Sequence, residues 1–270
     1  MTVSKIWRAA LGSLLALTLL LAGCSSTPRE EATSNNAQRL YKDARDDMDS
    51  GSYDRAIKTL ERVEGLAAGS LLAQQAQLDL AYLNWRSGDK TAALTAVDRF
   101  IKLNPSSAAL DYAFYLKGMI NYNDDLGLLG RLFGQELSER DQRAARDAYQ
   151  AFKQLVEQFP NSRYAADARG RMNRIVDRLA AYDVHVARYY FRRGAYVAAA
   201  SRAQQAVTEF QGTPAVPEAL AIMVQSYAKL DLPTLRDDAE RVLRLNYPDS
   251  PYLKQDLNLA ADARPWWKLW

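Results

Sequence analysis

Apolar residues fall three and four apart through most of this chain, and the runs are short and evenly punctuated. Ile57, Leu60 and Val63 form one such stripe, Val97 and Phe100 a second, and Ala203 and Ala206 a third. Spacing of that kind places side chains on one face of an α-helix. Glycines and prolines separate the runs. The pattern predicts helices over about 37–49, 53–63, 70–87, 90–103, 108–122 and 141–158. Further helices are predicted over about 163–193, 196–210, 216–230 and 233–246, with a tail from 250. Segment ends read this way are uncertain by roughly 2–4 residues.

The punctuation repeats. Gly51-Ser52-Tyr53-Asp54-Arg55-Ala56 recurs as Gly194-Ala195-Tyr196-Val197-Ala198-Ala199, with Gly88-Asp89-Lys90-Thr91-Ala92-Ala93 between them. Twelve residues before the last alanine of each stands another alanine: Ala44, Ala187 and Ala81. Small residues let two helices approach closely, the glycine ends the first helix in a left-handed turn, and a later proline stops the second. This arrangement resembles the tetratricopeptide repeat. A lone helix pair cannot bury its apolar face, so repeats must stack. The expected fold is all-α, a right-handed superhelix of about five tetratricopeptide-like helix pairs, that is, an α-solenoid.

Three segments, Asn104-Pro105-Ser106-Ser107, Pro160-Asn161-Ser162 and Pro248-Asp249-Ser250, recur in phase with the repeat. In each, proline stops a helix and Ser or Asn is expected to N-cap the next. The third unit departs from the pattern. Gly118 fills the small position of its first helix and Ala148 that of its second, 30 residues apart instead of twelve. An apolar, glycine-rich insertion at about 123–140 (Asp124 to Gly134 at its heart) accounts for the excess. It either folds back on the helices or serves binding. The fifth unit carries a weak signature.

Ahead of the repeats, Lys5 and Arg8 precede an apolar run from Ala9 to Ala22, closed by Leu21-Ala22-Gly23-Cys24. That is the layout of a secretory signal peptide, and fourteen apolar residues fall short of the ~20 that span a bilayer. Leucine three residues before the only cysteine, with small residues between, resembles the bacterial lipobox. The resemblance implies cleavage after residue 23 and acylation of Cys24, with Ser25 pointing to the periplasmic face of the outer membrane. Several acyl chains hold a protein stably on a membrane. With its single cysteine lipidated, the fold is held by packing alone, without a disulfide. Residues 24–36 are polar and aperiodic and read as a flexible tether. The formal charge of +3 falls to about +1 when Lys5 and Arg8 are removed, too small an excess for a nucleic-acid binder.

Taken along its length, the chain resembles the BamD family, lipoproteins of the outer-membrane β-barrel assembly machinery. The stretches that carry the resemblance are Asp98–Pro105, Leu132-Phe133-Gly134 with Arg140-Asp141, Phe159–Ser162, Asp177–Ala180, and Val186–Tyr190 leading to Arg193–Ala198. The resemblance covers about residues 20–246. It implies a scaffold and substrate receptor that acts with BamA and other lipoproteins of the complex on unfolded outer-membrane proteins. It also implies two parts, repeats 1–3 over 37–162 for substrate and repeats 4–5 over 163–249 for BamA. Arg202 matches a family position at the BamA contact; its other reading is a solvated charge on an amphipathic helix. Stacked helix pairs offer a groove for an extended or amphipathic peptide. Tyr82, Trp85, Tyr112 and Tyr115 either line that groove or belong to the core, whereas Tyr53 sits at the seam and reads as core. Trp266, Trp267 and Trp270, in the tail 250–270, either meet a membrane or partner or fold onto the last helix pair.

Nothing in the chain suggests catalysis, a cofactor or a metal. His185 is the single histidine, inside a helical run, and no zinc spacing, phosphate loop or nucleophile elbow appears. The adjacent acids Asp46-Asp47, Asp124-Asp125 and Asp237-Asp238 do not face each other on a helix and read as solvated charge. The rival reading is another periplasmic repeat lipoprotein, an adaptor for cell-wall enzymes or polysaccharide export.

Overall fold

Every expected helix forms in the computed structural model, which describes residues 28–122 and 142–253. The chain divides at Pro105 into two compact units. In the first, α1 (Pro28–Asp49), α2 (Tyr53–Leu66), α3 (Leu71–Arg86) and α4 (Lys90–Leu103) each pack on the next, and α1 also touches α3. The second contains α5 (Leu110–Asn121), α6 (Gln142–Gln158), α7 (Ala165–Arg192), α8 (Tyr196–Glu209), α9 (Val216–Lys229) and α10 (Pro233–Asn246). These too pack each on the next, α7 also meets α9, and the 3₁₀ turn Pro251–Leu253 closes onto α9. Contact with the next helix and the next but one is how stacked helix pairs build a continuous core. The odd-numbered helices are the first members of the pairs.

The small residues sit where the repeat puts them. Ala44 and Ala56, Ala81 and Ala93, and Ala187 and Ala199 are all fully buried. In the third pair Gly118 lies against Phe152, so close that an added Cβ would stand 2.4 Å from its ring. The turn between paired helices takes one form four times. Gly51, Gly88 and Gly194 adopt φ of 76°, 93° and 76°, and the next residue's amide reaches back to the carbonyl five residues before it (Ser52 to Asp47, Asp89 to Asn84, Ala195 to Tyr190). This satisfies a carbonyl that the helix end would leave bare. The fifth pair makes the same turn with Asp231 at φ 56°, Leu232 bonding to Tyr227. Aspartate is among the few non-glycine residues that tolerate this conformation, so the fifth turn carries no glycine to announce it.

Two expectations need correction. Helix α1 begins at Pro28 and so runs through most of the stretch expected to be a tether. Residues 32–36 are exposed or half-exposed, so no apolar stripe marked this part of the helix in the sequence. The serines after the prolines do not cap the following helices. Ser107, Ser162 and Ser250 accept instead from the amide two residues on, at 3.3, 3.2 and 3.3 Å, which builds a short turn ahead of the next element. The N-cap positions of α5 and α7 are Ala109 and Tyr164. True side-chain caps occur at Ser70 and Asp89.

Candidate partner-binding surfaces

Within each unit, the first helices of neighbouring pairs are joined by polar links rather than alanine seams. In the first unit the Tyr41 hydroxyl of α1 donates to Asp79 of α3 at 2.7 Å, and Gln75 donates to the other oxygen at 3.1 Å. Asp79 is buried, and burial lifts its carboxyl above the ordinary range against the opposing effect of these bonds and of Arg45. Burial, then the bond to Asp79 and its charge, push the Tyr41 phenol upward as well. Tyr82 and Trp85 stand on α3 close by in sequence. Their rings meet edge to face at 6.1 Å, both are half-buried, and Tyr82 packs on the cluster built around Leu40, Leu60 and Leu80. Tyr53 packs on the same cluster. Tyr82 therefore packs part of its ring on the core and leaves part exposed.

On the side of the second helices, α2, α3 and α4 frame an open cavity of about 500 Å³ lined by Glu61, Glu64, Asn84, Asp89, Thr95 and Arg99. Arg99 donates to Glu64 at 2.9 Å across it.

In the second unit, Tyr112 and Tyr115 of α5 come together with Tyr164. Tyr115 stacks on Tyr164 at 4.7 Å, and Tyr112 lies tilted at 5.6 Å from it. The Tyr115 hydroxyl donates to Asp167 of α7 at 2.8 Å, and Arg171 donates to the same oxygen at 2.6 Å. Burial alone would lift the Asp167 carboxyl, but the bonds from Arg171 and Tyr115 and the charges of Arg171 and Arg174 outweigh it and hold it low. Tyr164 is the partner that sequence reasoning missed, being 52 residues from Tyr112. The aromatic residues singled out thus form two local sets, Tyr82 with Trp85 and Tyr112 with Tyr115, one in each unit.

Farther along, Arg188 of α7 bonds Glu218 of α9, which also accepts from the Tyr252 hydroxyl at 3.2 Å. Arg202 of α8 is half-exposed. It donates to Gln205 at 3.1 Å and lies 3.5 Å from Asp183 of α7. Asp183 is only 4% exposed, and its second oxygen has no hydrogen-bond partner among the described residues. Burial raises its carboxyl while Arg202 and Arg146 pull it down, and the former wins. Arg202 thus lies within ion-pair distance of a buried acid while its side chain stays partly exposed. His185, on α7 as well, is also engaged in an interaction. Cys24, the insertion at 123–140 and the three tail tryptophans lie outside the described residues. No described helix is long and apolar enough to cross a membrane.

Comparison with known proteins gives these surfaces a context. Residues 33–243 match the family model YfiO, described as an outer membrane lipoprotein. An "Outer membrane protein assembly factor BamD" of Neisseria meningitidis serogroup B is 44% identical over 261 residues, covering 95% of this chain and 97% of the relative. Proteins of the same name from Xylella fastidiosa strain Temecula1 and Vibrio cholerae serotype O1 are 34% and 33% identical over 90% and 87% of this chain, and 84% and 97% of theirs. Identity at that level over nearly the whole of both chains, together with a family match spanning residues 33–243, shows that the chain belongs to the BamD family of outer membrane lipoproteins.

Proposed function

We propose that this chain is a non-catalytic scaffold of outer-membrane β-barrel assembly, anchored through lipid on Cys24 at the periplasmic face. Unfolded outer-membrane proteins bind its N-terminal repeats, and BamA and the other lipoproteins of the machinery meet its C-terminal repeats. The observation that carries this reading is the 44% identity to an assembly factor over nearly the whole of both chains. Tyr82 and Trp85 support it on the substrate side, since half-buried aromatic rings on a rigid helix offer contact area at little entropic cost. Tyr112 and Tyr115 serve as a second aromatic platform. Arg202 supports it on the BamA side. A guanidinium held by a buried carboxylate is oriented before its partner arrives, which suits it to an interface anchor.

The test is a crosslinked pull-down from outer membranes comparing wild type, Arg202→Glu and Asp183→Asn. Asp183→Asn keeps the Arg202 charge and leaves an amide oxygen to accept from it, while relieving a buried acid, so it separates a lost contact from a damaged fold. The expected result is recovery of BamA with wild type and Asp183→Asn, and its loss with Arg202→Glu at unchanged helicity. Recovery with all three removes Arg202 from the interface. Failure of wild type to recover BamA overturns the reading in favour of an adaptor for cell-wall enzymes or polysaccharide export.

A further inference from the structure

Three guanidinium groups of α7 gather around one tyrosine at the end of α5. Tyr122 is 8% exposed, and its hydroxyl oxygen accepts from Arg174 Nε and from an Arg178 terminal nitrogen, each at 3.0 Å. The Arg171 and Arg178 guanidinium carbons lie 4.9 and 5.0 Å from its ring centre. The ring itself stands edge-on to Phe152 at 6.1 Å, which fixes its orientation from behind.

Like charges three and four residues apart on a helix repel, so three arginines over two turns disfavour the bare helix. Cation–π contact and the shared phenol oxygen offset part of that repulsion. Their effect is to hold all three guanidinium groups against Tyr122. Arg171 also binds Asp167, and Arg171 and Arg178 carry additional interactions. Arg174 differs from both. It is exposed, it uses Nε for Tyr122, and its two terminal nitrogens have no hydrogen-bond partner among the described residues. Asp177 follows one turn later without forming an ion pair to it.

We infer that this tyrosine-centred arginine row is a docking site for an acidic, extended polypeptide segment of a partner protein, with Arg174 as the group that receives its carboxylate. Charge and length both select this occupant. The row runs about 10.5 Å along the helix axis at 1.5 Å per residue. Alternate residues of an extended chain point the same way about 6.6 Å apart, so two acidic side chains fit within it. A planar fork with its Nε already bonded recognises a carboxylate with little further loss of freedom. The site lies on α5 and α7, away from Arg202, and does not depend on the BamA reading.

The full chain, purified in detergent, is titrated into a fluorescein-labelled Glu-Thr-Glu-Thr-Glu peptide and its Gln-Thr-Gln-Thr-Gln counterpart, with anisotropy as the readout. The expected result is binding of the Glu peptide at least about tenfold tighter than the Gln peptide, and about a tenfold loss in Arg174→Gln, the effect of one charged hydrogen-bonded contact. Arg169→Gln, two residues away from Arg171 on another face of α7, leaves binding unchanged. Arg174→Lys falls between wild type and Arg174→Gln, and far-UV helicity matches throughout. Equal binding of both peptides, or an equal loss in Arg169→Gln and Arg174→Gln, overturns the proposal in favour of diffuse charge. Arg174-dependent binding to phosphatidylglycerol vesicles with none to the Glu peptide overturns it in favour of a lipid headgroup.

Discussion

Gly118→Ala isolates the tight approach of α5 to α6. Alanine is the better helix former by about 1 kcal/mol, so on local grounds alone the change within α5 stabilises. The structure predicts the opposite sign. The new Cβ would lie 2.4, 2.5 and 2.7 Å from three carbons of the Phe152 ring, where ordinary contact begins near 3.4 Å. The ring must retreat by about 1 Å, and it has little room. Phe152 is fully buried, with Tyr115 and Tyr122 rings each 6.1 Å from its centre. Overpacking of this kind costs about 1–3 kcal/mol, and an overlap spread over three ring atoms belongs at the top of that range. Set against the propensity gain, the net loss is about 2 kcal/mol, or a fall of about 4–8 °C in Tm for a chain of this size. Thermal unfolding followed by far-UV circular dichroism reads this directly. Phe152→Leu, which removes the ring, should turn the same Gly118→Ala change neutral or stabilising, so the pair couples strongly in a double-mutant cycle. An unchanged or raised Tm in the single variant would refute the packing argument and leave propensity as the dominant effect.

Ser226 is fully buried in α9, and its hydroxyl has no hydrogen-bond partner among the described residues; Ser226→Ala removes that unmatched group and should stabilise by about 1 kcal/mol, seen as a Tm higher by about 2–4 °C, and a fall would show that the hydroxyl is satisfied. Tyr41→Phe deletes the donor to a buried carboxylate and should cost about 1.5–2 kcal/mol at pH 7. The folded state holds the Asp79 proton more tightly than the unfolded chain does, so this group's contribution to stability declines as pH rises above its ordinary value of 3.8. The Tyr41→Phe deficit should therefore be smaller at pH 4 than at pH 7, and Asp79→Asn should flatten the pH dependence; urea midpoints at the two pH values decide it.

Much of the architecture was legible because its signals are local. A glycine five residues before an alanine, or a proline two residues past a helix, marks a boundary within a short stretch of chain, and α4, α6 and α10 each end two residues before such a proline. The features that escaped are those in which a different residue does the same task or the partner is distant. Asp231 makes the fifth turn without glycine. Helix α1 starts ahead of its first buried residue, and residues 32–36 within it show no buried face. Tyr112 and Tyr115 could be recognised as aromatic residues on a helix, but their assignment depended on Tyr164 and Asp167, which only the packing of α7 against α5 supplies. Arg202 was singled out by the family resemblance, whereas the burial of Asp183, 19 residues away, left no signal in the sequence.

The alanine seams and the polar links divide labour between two sides of the same helices. Alanine has no rotamers to lose, so the Ala44–Ala56, Ala81–Ala93 and Ala187–Ala199 seams order the paired helices without side-chain entropy and have only one way to fit. The links between first helices, Tyr41 to Asp79, Tyr115 to Asp167 and Arg188 to Glu218, are made of groups that water or a ligand's own donors and acceptors can replace one for one. Each pair therefore behaves as a stiff strut whose shape resides in its alanine seam, while the hydrogen bonds that can be exchanged lie between the first helices of neighbouring pairs.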